Sequence, residues 1–369
     1  MTFYKTLLAA TLAILAIALL TSCNLDKPVT RQEALDLAAK IERSAAAHNA
    51  TFLNSMWDQQ RFSQRVLAEA HQRFNLSMAK DARNALTEAQ WGQKILSGVT
   101  GGGYTLVHQY EKDGHQHLLF RLYDYSPAFN YHDYELVKTD NGVKVADAYI
   151  YYGGENLSRT VAQSLLLVTD KVSDLTPDDQ QKVYNLRKID ELINGGNLEE
   201  AGQYYDKLPS DMKKQKLFQL IHLRITAKLG DSTYLAAINE YKSYFPRDPS
   251  LGVFMLDAYF MEKDYPSALG AVNRLDTAVQ KDPFLDYYRG LIYKVEENPT
   301  QSRVCLEKVH NYMPRFGRAT VELLANYATS GSPDSAAMLV RQAQADSNIT
   351  ADQLKAIEEA YPTIRPYLK

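Results

Sequence analysis

The stretch GLIYKVEENPTQSRVCLEKV, from Gly290 to Val309, decides the fold because its residues recur at a constant spacing. Tyr293 has a tyrosine 34 residues before it, Tyr259, and another 34 residues after it, Tyr327. Small and aliphatic residues repeat at the same interval: Ala268, Ser302 and Ala336; Val272, Leu306 and Val340; Leu275, Val309 and Ala343. A period of this length predicts stacked helical hairpins, each of which packs on its neighbours.

This pattern resembles the tetratricopeptide repeat. Gly290 lies at the family's glycine position, and Pro314 lies at its terminal proline, where the second helix must stop. Two segments, KDYPSAL (Lys263–Leu269) and GGNLEEA (Gly195–Ala201), resemble the family's turn into the second helix. The resemblance implies an all-α solenoid of about five hairpins over residues 178–347. A C-terminal capping helix over residues 350–369 is expected to close it.

The first helix of each hairpin lines a concave groove in this family. Carried onto this sequence, the resemblance implies a partner-binding groove formed by Val253, Asp257, Phe260, Phe284, Tyr287, Leu291, Lys294, Val321 and Ala325. Aromatic and apolar side chains in a groove can anchor a segment of a partner protein. The alternative is that several of these residues only pack between hairpins.

The first residues of the chain have the pattern of an export signal. An uncharged run from Leu7 to Leu20 is too short to span a bilayer comfortably. It ends in Leu20-Thr21-Ser22-Cys23, which resembles the lipobox of bacterial lipoproteins at all four positions. The resemblance implies a signal peptide over residues 1–22, acylation of Cys23 and a short tether over residues 23–29. It places the protein in the bacterial envelope, lipid-anchored to the outer rather than the inner membrane. The alternative is an ordinary secretory signal with a chance cysteine.

The composition argues against nucleic-acid partners, internal disulfides and a metal site. The formal net charge is −3 and no basic patch stands out, which argues against nucleic acid. Beyond Cys23 only Cys305 remains, so no internal disulfide is expected. His115 and His117 share a strand face, but no third ligand follows at a recognisable spacing. We therefore expect no metal and no cofactor.

Residues 30–168 predict an α+β domain of three helices followed by a four-stranded antiparallel meander. Thr30 and Glu33 form a capping-box pattern that opens the first helix. The predicted helices run to about Ala47, then over Thr51–Phe74 and Ala79–Leu96. The predicted strands are Tyr104–Tyr110, His115–Tyr123, Tyr131–Lys138 and Val143–Tyr152. A two-residue turn at Asp113-Gly114 joins the first two strands, and another at Asn141-Gly142 joins the last two.

This order of elements resembles the cone-shaped fold of nuclear transport factor two-like proteins. That family usually places a strand between its helices, and the sequence shows none. Its helices close one face of the sheet around a pocket that is catalytic, ligand-binding or filled. Strict alternation would put Val145, Asp147 and Tyr149 on one face of the last strand.

A buried carboxylate on an apolar face can act as a general base. The candidate pocket is therefore formed by Arg121, His132, Asp147 and Tyr149. The alternative is a purely structural role, in which Asp147 pairs with Arg121 or caps a loop. Motifs of hydrolases and redox enzymes are missing, so no enzyme is predicted.

The sequence favours a membrane-anchored scaffold that binds a protein partner in its repeat groove. Two alternatives remain open. One is a small-ligand or enzymatic site around Asp147, and the other is capture of glycans or nutrients at the cell surface.

Overall fold

The structure is a computed structural model that describes residues 28–70, 90–99, 102–123, 129–168, 177–345 and 351–367. The predicted signal peptide, Cys23, most of the predicted tether and the first part of the predicted third helix lie outside these ranges. The chain divides into two compact units, Met1–Leu175 and Thr176–Lys369. The first unit contains helices and an antiparallel sheet and the second is helical, which confirms the predicted order of an α+β part followed by an all-α part.

Four described helices precede the sheet in the first unit: α1 (Arg31–Ala46), α2 (Ala50–Ser55), α3 (Gln59–Glu69) and α4 (Trp91–Ser97). The predicted capping box opens α1. The Thr30 side chain accepts a hydrogen bond from the backbone N–H of Glu33, and the Glu33 carboxylate accepts one from the Thr30 N–H. These two bonds satisfy amides that have no partner within the helix.

The predicted second helix, Thr51–Phe74, is broken in the structure, and its last residues lie outside the described ranges. The chain is extended at Trp57, which makes a single parallel bridge with Val145 of the sheet. The Val145 amide donates to the Met56 carbonyl at 2.8 Å, and the Asp58 amide donates to the Val145 carbonyl at 2.9 Å. The Asp58 side chain then accepts from the Arg61 amide and starts α3.

The sheet has five antiparallel strands in sequential order: β1 (Gly103–Lys112), β2 (His115–Tyr123), β3 (Phe129–Thr139), β4 (Gly142–Ile150) and β5 (Glu155–Asn156). The sequence prediction of four strands missed the short β5. Helix α5 (Leu157–Val168) follows it. At the β1–β2 turn, Asp113 and Gly114 both have positive φ, of 52° and 79°. The β3–β4 loop is Asp140-Asn141, one residue earlier than predicted, because Gly142 already pairs with Thr139.

A bulge in β4 decides which side chains share a face. Glu135 pairs with Asp147 and Leu136 pairs with Val145, so Ala146 has no residue opposite it. Val145 therefore points to the face that the helices cover, and Asp147 points to the other face. The prediction that these two residues share a face was wrong, because the extra residue reverses the alternation.

The core of the first unit lies between the helices and one face of the sheet, here called the inner face. The rings of Trp57, Trp91 and Phe62 meet at its centre, with centroids 5.2–6.0 Å apart. Tyr134 from β3 packs edge-on against Trp57. Aromatic side chains thus fill the space beneath the helices.

The second unit is a succession of helices joined by short loops. They are α6 (Pro177–Asn194), α7 (Leu198–Asp206), α8 (Ser210–Lys213), α9 (Lys216–Thr226), α10 (Asp231–Tyr244), α11 (Leu251–Met261), α12 (Tyr265–Ala278), α13 (Asp286–Val295), α14 (Pro299–Tyr312), α15 (Gly317–Thr329), α16 (Pro333–Ala345) and α17 (Ala351–Ala360). Neighbouring helices pack together as five successive pairs, α6 with α7 through to α15 with α16. The first residue of the predicted C-terminal capping helix, Thr350, lies outside the described ranges.

The α13–α14 pair is packed closely at Gly290. A Cβ atom added there would lie 2.8 Å from Leu306 Cγ, and the Ser302 hydroxyl donates to the Gly290 carbonyl at 2.9 Å. Small residues are needed at this crossing because the two helices leave no room for a side chain. Ala268 of α12 and Ala336 of α16, which occupy the position of Ser302 in their own pairs, are also fully buried.

Candidate functional site

The first-helix surface is the set of nine residues predicted from the repeat pattern: Val253, Asp257, Phe260, Phe284, Tyr287, Leu291, Lys294, Val321 and Ala325. The structure places three on α11, three on α13 and two on α15, with Phe284 in the 3₁₀ turn before α13. Eight of them occupy equivalent positions 34 residues apart. These rows are Val253, Tyr287 and Val321, and Asp257, Leu291 and Ala325, with Phe260 matched to Lys294.

Three members of the first-helix surface are buried rather than available. Val253, Phe284 and Tyr287 are each less than a tenth exposed. Phe284 and Tyr287 pack against Phe316, with ring centroids 5.5 and 5.1 Å apart. For these residues the alternative interpretation, packing between hairpins, describes what the structure shows.

The other members reach the surface. Val321 is 52% exposed, which is unusual for a large aliphatic side chain. Asp257 and Lys294 are exposed, while Phe260, Leu291 and Ala325 are half-buried. The accessible part of the first-helix surface is therefore mainly apolar, with one acidic and one basic group.

Two polar contacts connect helices along this surface. The Lys294 ammonium lies 2.6 Å from Glu322 and so joins α13 to α15, the first helices of adjacent pairs. The Tyr234 hydroxyl of α10 donates to the Asp257 carboxylate at 3.2 Å. Asp257 keeps contact with solvent, but desolvation by the surrounding protein raises the pKa of its carboxyl to about 6. The hydrogen bond from Tyr234 acts in the opposite direction and lowers this pKa.

The four predicted pocket residues of the first unit do not all lie on the same face of the sheet. Arg121, Asp147 and Tyr149 belong to the outer face of the sheet, opposite the helix-covered core. His132 is on the inner face, where its Nδ1 lies 2.9 Å from the Tyr104 hydroxyl. Burial lowers the pKa of His132 to about 4, so its imidazole is neutral at physiological pH.

Asp147 is 2% exposed, and protein groups engage its carboxylate. The Ser158 hydroxyl donates to Oδ2 at 2.6 Å, and the amides of Ala148 and Ser158 donate to Oδ1. Burial raises the pKa of this carboxyl, while these bonds and Arg65, at 3.6 Å, act in the opposite direction. Because Ser158 lies in the first turn of α5, Asp147 holds the start of that helix.

Arg65, which the sequence analysis did not single out, contacts two carboxylates on the outer face of the sheet. It binds Glu135 with two parallel bonds of 2.8 and 2.6 Å and also approaches Asp147. No spacing rule relates residues 65, 135 and 147, which only the fold brings together. Further along the same face, Asp133 accepts a hydrogen bond from Tyr110, and His117 lies 3.1 Å from it.

The two strand histidines face carboxylates. His117 contacts Asp133, and His115 lies 4.0 Å from Glu135. Within the described ranges, no group of three or more His, Cys, Asp or Glu side chains is placed to hold a metal ion.

A cleft of about 440 Å³ lies between α12, α13 and α14. It lies on the side of α13 opposite to Tyr287 and Leu291, and it contains none of the predicted groove residues. The i,i+3 pair Asp286 and Arg289 in the sequence was a weak sign of it.

Comparison of the chain with protein-family models, curated proteins and solved structures finds no match in any of the three. Among the residues that the structure describes, no helix is both long enough and apolar enough to cross a membrane.

Proposed function

We propose that this protein is a lipid-anchored bacterial envelope scaffold that holds a polypeptide partner on its first-helix surface. In this proposal the second unit is a tetratricopeptide-repeat solenoid. Support comes from the 34-residue period, the five successive helix pairs and the glycine contact at Gly290. The observation that carries the proposal is the Lys294–Glu322 bridge, because it connects first helices of adjacent pairs into one continuous face.

The chemistry of that face suggests the kind of partner. Val321, Leu291 and Phe260 offer apolar surface on three successive first helices, one from each of the rows named above. An apolar stripe of this type suits an amphipathic helix or an extended apolar segment. Asp257 stands beside the stripe and can select the partner's register by charge, whereas Lys294 is already paired with Glu322.

The anchor is proposed from the sequence, since Cys23 lies outside the described residues. Only Asn24–Val29 separates Cys23 from Thr30, a reach of about 20 Å when extended. The first unit would therefore stay close to the membrane to which the acyl chains attach. We propose the outer membrane of the envelope as its location.

The first unit is proposed to be a spacer or second binding module with a filled interior. Its likeness to nuclear transport factor two-like proteins gains support from the extended Trp57, which pairs with β4 between two helices. The contacts of Asp147 favour a structural role over that of a general base, so we propose no reaction for this unit.

Site-specific photo-crosslinking in native cells tests the scaffold proposal. A benzoylphenylalanine residue is introduced at Val321 or at Met338, which is 61% exposed on α16, the second helix of the same pair. We expect a discrete crosslinked polypeptide at position 321 and none at position 338. Identical products at both positions, or no product at 321 in a folded protein, would contradict the proposal.

A further inference from the structure

The cleft between α12, α13 and α14 has the size of a small-ligand site. Its volume of about 440 Å³ lies within the range of roughly 300–1,000 Å³ that is typical of ligand pockets. Because it opens on the side of α13 away from the first-helix surface, a ligand there would leave that surface free.

The charges that line the cleft compensate one another. Arg289 lies at the centre, 2.9 Å from Asp276 and 2.8 Å from Asp286. Its Nε and Nη2 also donate to Asn273 Oδ1 at 3.1 and 2.9 Å. The complete lining contains three acidic residues (Asp276, Asp282 and Asp286) and three basic residues (Lys281, Arg289 and Lys308). A neutral lining gives little advantage to a ligand with a net charge.

Neutral polar groups in the cleft retain hydrogen-bonding capacity. The Gln301 side-chain amide, the Asn273 Nδ2 and the Tyr293 hydroxyl have no hydrogen-bond partner within the described ranges. Together they provide both donors and acceptors. The ring of Tyr293 and the exposed Val304 add apolar surface beside them.

One rim of the cleft is held in an unusual backbone conformation. Gln280 and Lys281 are consecutive non-glycine residues with positive φ, of 59° and 75°. Left-handed backbone is unfavourable for residues that carry a Cβ atom. The Lys281 amide donates to the Asp276 carbonyl at 2.7 Å, and the Asp282 amide donates to Asp276 Oδ1 at 2.9 Å. These bonds close the C-terminal end of α12 and hold the rim in place.

We propose that this cleft binds a neutral sugar, of the size of a monosaccharide or disaccharide. Sugar hydroxyls both donate and accept, which matches the mixed capacity of Asn273, Gln301 and Tyr293. The apolar face of a pyranose ring would lie against Tyr293 and Val304. The site is separate from the first-helix surface, so the two proposals can fail independently.

Binding is tested on the full-length protein in a non-glycosidic detergent by saturation-transfer NMR and calorimetry. The neutral probes are glucose, galactose, N-acetylglucosamine and maltose, and the charged probes are glucuronate and glucosamine. We expect at least one neutral probe to bind and both charged probes to bind more weakly. Failure of every neutral probe, or equal or tighter binding of a charged probe, would overturn the proposal.

Two variants locate the binding. Gln301→Ala should weaken the affinity by about threefold to tenfold, the value of one hydrogen bond, and Asn273→Ala should do the same. The matched controls are Gln203→Ala on α7 and Asn239→Ala on α10, both exposed residues outside the cleft. Equal losses in variants and controls would overturn the assignment. Because Asn273 also contacts Arg289, the Gln301 variant decides the result if Asn273→Ala lowers the thermal stability.

Discussion

Arg65 connects α3 to two carboxylates of the outer face of the sheet. Burial alone would raise the pKa of Glu135, but the paired bonds from Arg65 outweigh burial and lower it. Replacing Arg65 by methionine would leave Glu135 and the buried Asp147 without this cation. We expect Arg65→Met to lower the free energy of unfolding of the first unit by about 1–3 kcal/mol, less than for a fully buried pair because Arg65 is a third exposed.

The measurement for Arg65→Met is urea unfolding followed by tryptophan fluorescence. Both tryptophans of the chain, Trp57 and Trp91, lie in the core of the first unit and therefore report on that unit. The matched control is Arg43→Met on α1 of the same unit, an exposed arginine whose replacement should cost no more than about 0.5 kcal/mol. Equal losses in the two variants would show that Arg65 contributes no more than a surface charge.

His132 gives the first unit a pH dependence of known sign. Its pKa is about 4 in the folded protein and 6.5 in its ordinary state. As the pH falls below 6.5, His132 becomes protonated in the unfolded chain but stays neutral in the folded protein. The free energy of unfolding therefore decreases until the pH approaches 4. Between pH 7 and pH 5 the contribution of this group falls by up to about 2 kcal/mol.

Comparison with His132→Gln isolates that contribution, because the amide can still bond to the Tyr104 hydroxyl but does not titrate. Tryptophan-detected urea unfolding at pH 7 and pH 5 should show a smaller loss of stability in the variant than in the wild type. Parallel losses in the two proteins would mean that His132 titrates with its ordinary pKa when folded.

Asp147 and Arg65 show where prediction from the sequence ends at the scale of single residues. Alternation along β4 predicted a shared face for Val145 and Asp147, and the bulge at Ala146 reversed it. Nothing in the local sequence marks a bulge, since alanine fits either face of a strand. Arg65 was missed because its partners come from strands 70 and more residues away.

Gly290 tests the packing within one element pair. Gly290→Ala should destabilise the second unit, because the added methyl group would meet Leu306 at 2.8 Å. Overpacking of this kind costs about 1–3 kcal/mol and exceeds the gain of up to about 1 kcal/mol in helix propensity. Thermal unfolding followed by circular dichroism at 222 nm measures the difference.

The control for this substitution is Gly252→Ala on α11, where an added Cβ would meet no atom within 4 Å. We expect that variant to be as stable as the wild type or slightly more stable. If Gly290→Ala matched it, the close approach of α13 and α14 would be refuted.

Element types were largely predictable, and their interruptions were not. The strand His115–Tyr123 was predicted with the bounds it has in the structure, because a tight Asp-Gly turn and alternating residues define it. The helix predicted over Thr51–Phe74 has the right apolar spacing on both sides of Trp57. Only the bridge to Val145, a tertiary contact, explains why the chain leaves the helix there.

The arrangement of the whole chain was predicted in outline. The order of an α+β part and a helical part follows from periodicity, which is local information. The first-helix surface was predicted as a set, but only part of it is accessible, because Phe316 covers Phe284 and Tyr287. The cleft at Arg289 was not predicted, since three helices and a loop contribute to it.

Acylation of Cys23 is a prediction for the intact protein in its cell. Metabolic labelling with an alkyne-bearing palmitate should mark the wild type and Cys305→Ser but not Cys23→Ser. Cys305 is the matched control because it is buried in the second unit. Label that persists in Cys23→Ser, or a wild type that stays unlabelled, would refute the lipid anchor.

The most direct test of the scaffold proposal compares how much of the crosslinked partner copurifies with two variants of this protein, each of which carries one added negative charge. The full-length chain carries either Val321→Glu or Met338→Glu, two exposed apolar residues on the two helices of one pair. A carboxylate placed in an apolar contact is costly, so we expect Val321→Glu to reduce recovery about tenfold or more and Met338→Glu to leave it unchanged. Undiminished recovery with Val321→Glu, in a protein that unfolds at the wild-type temperature, would contradict the proposed role of the first-helix surface.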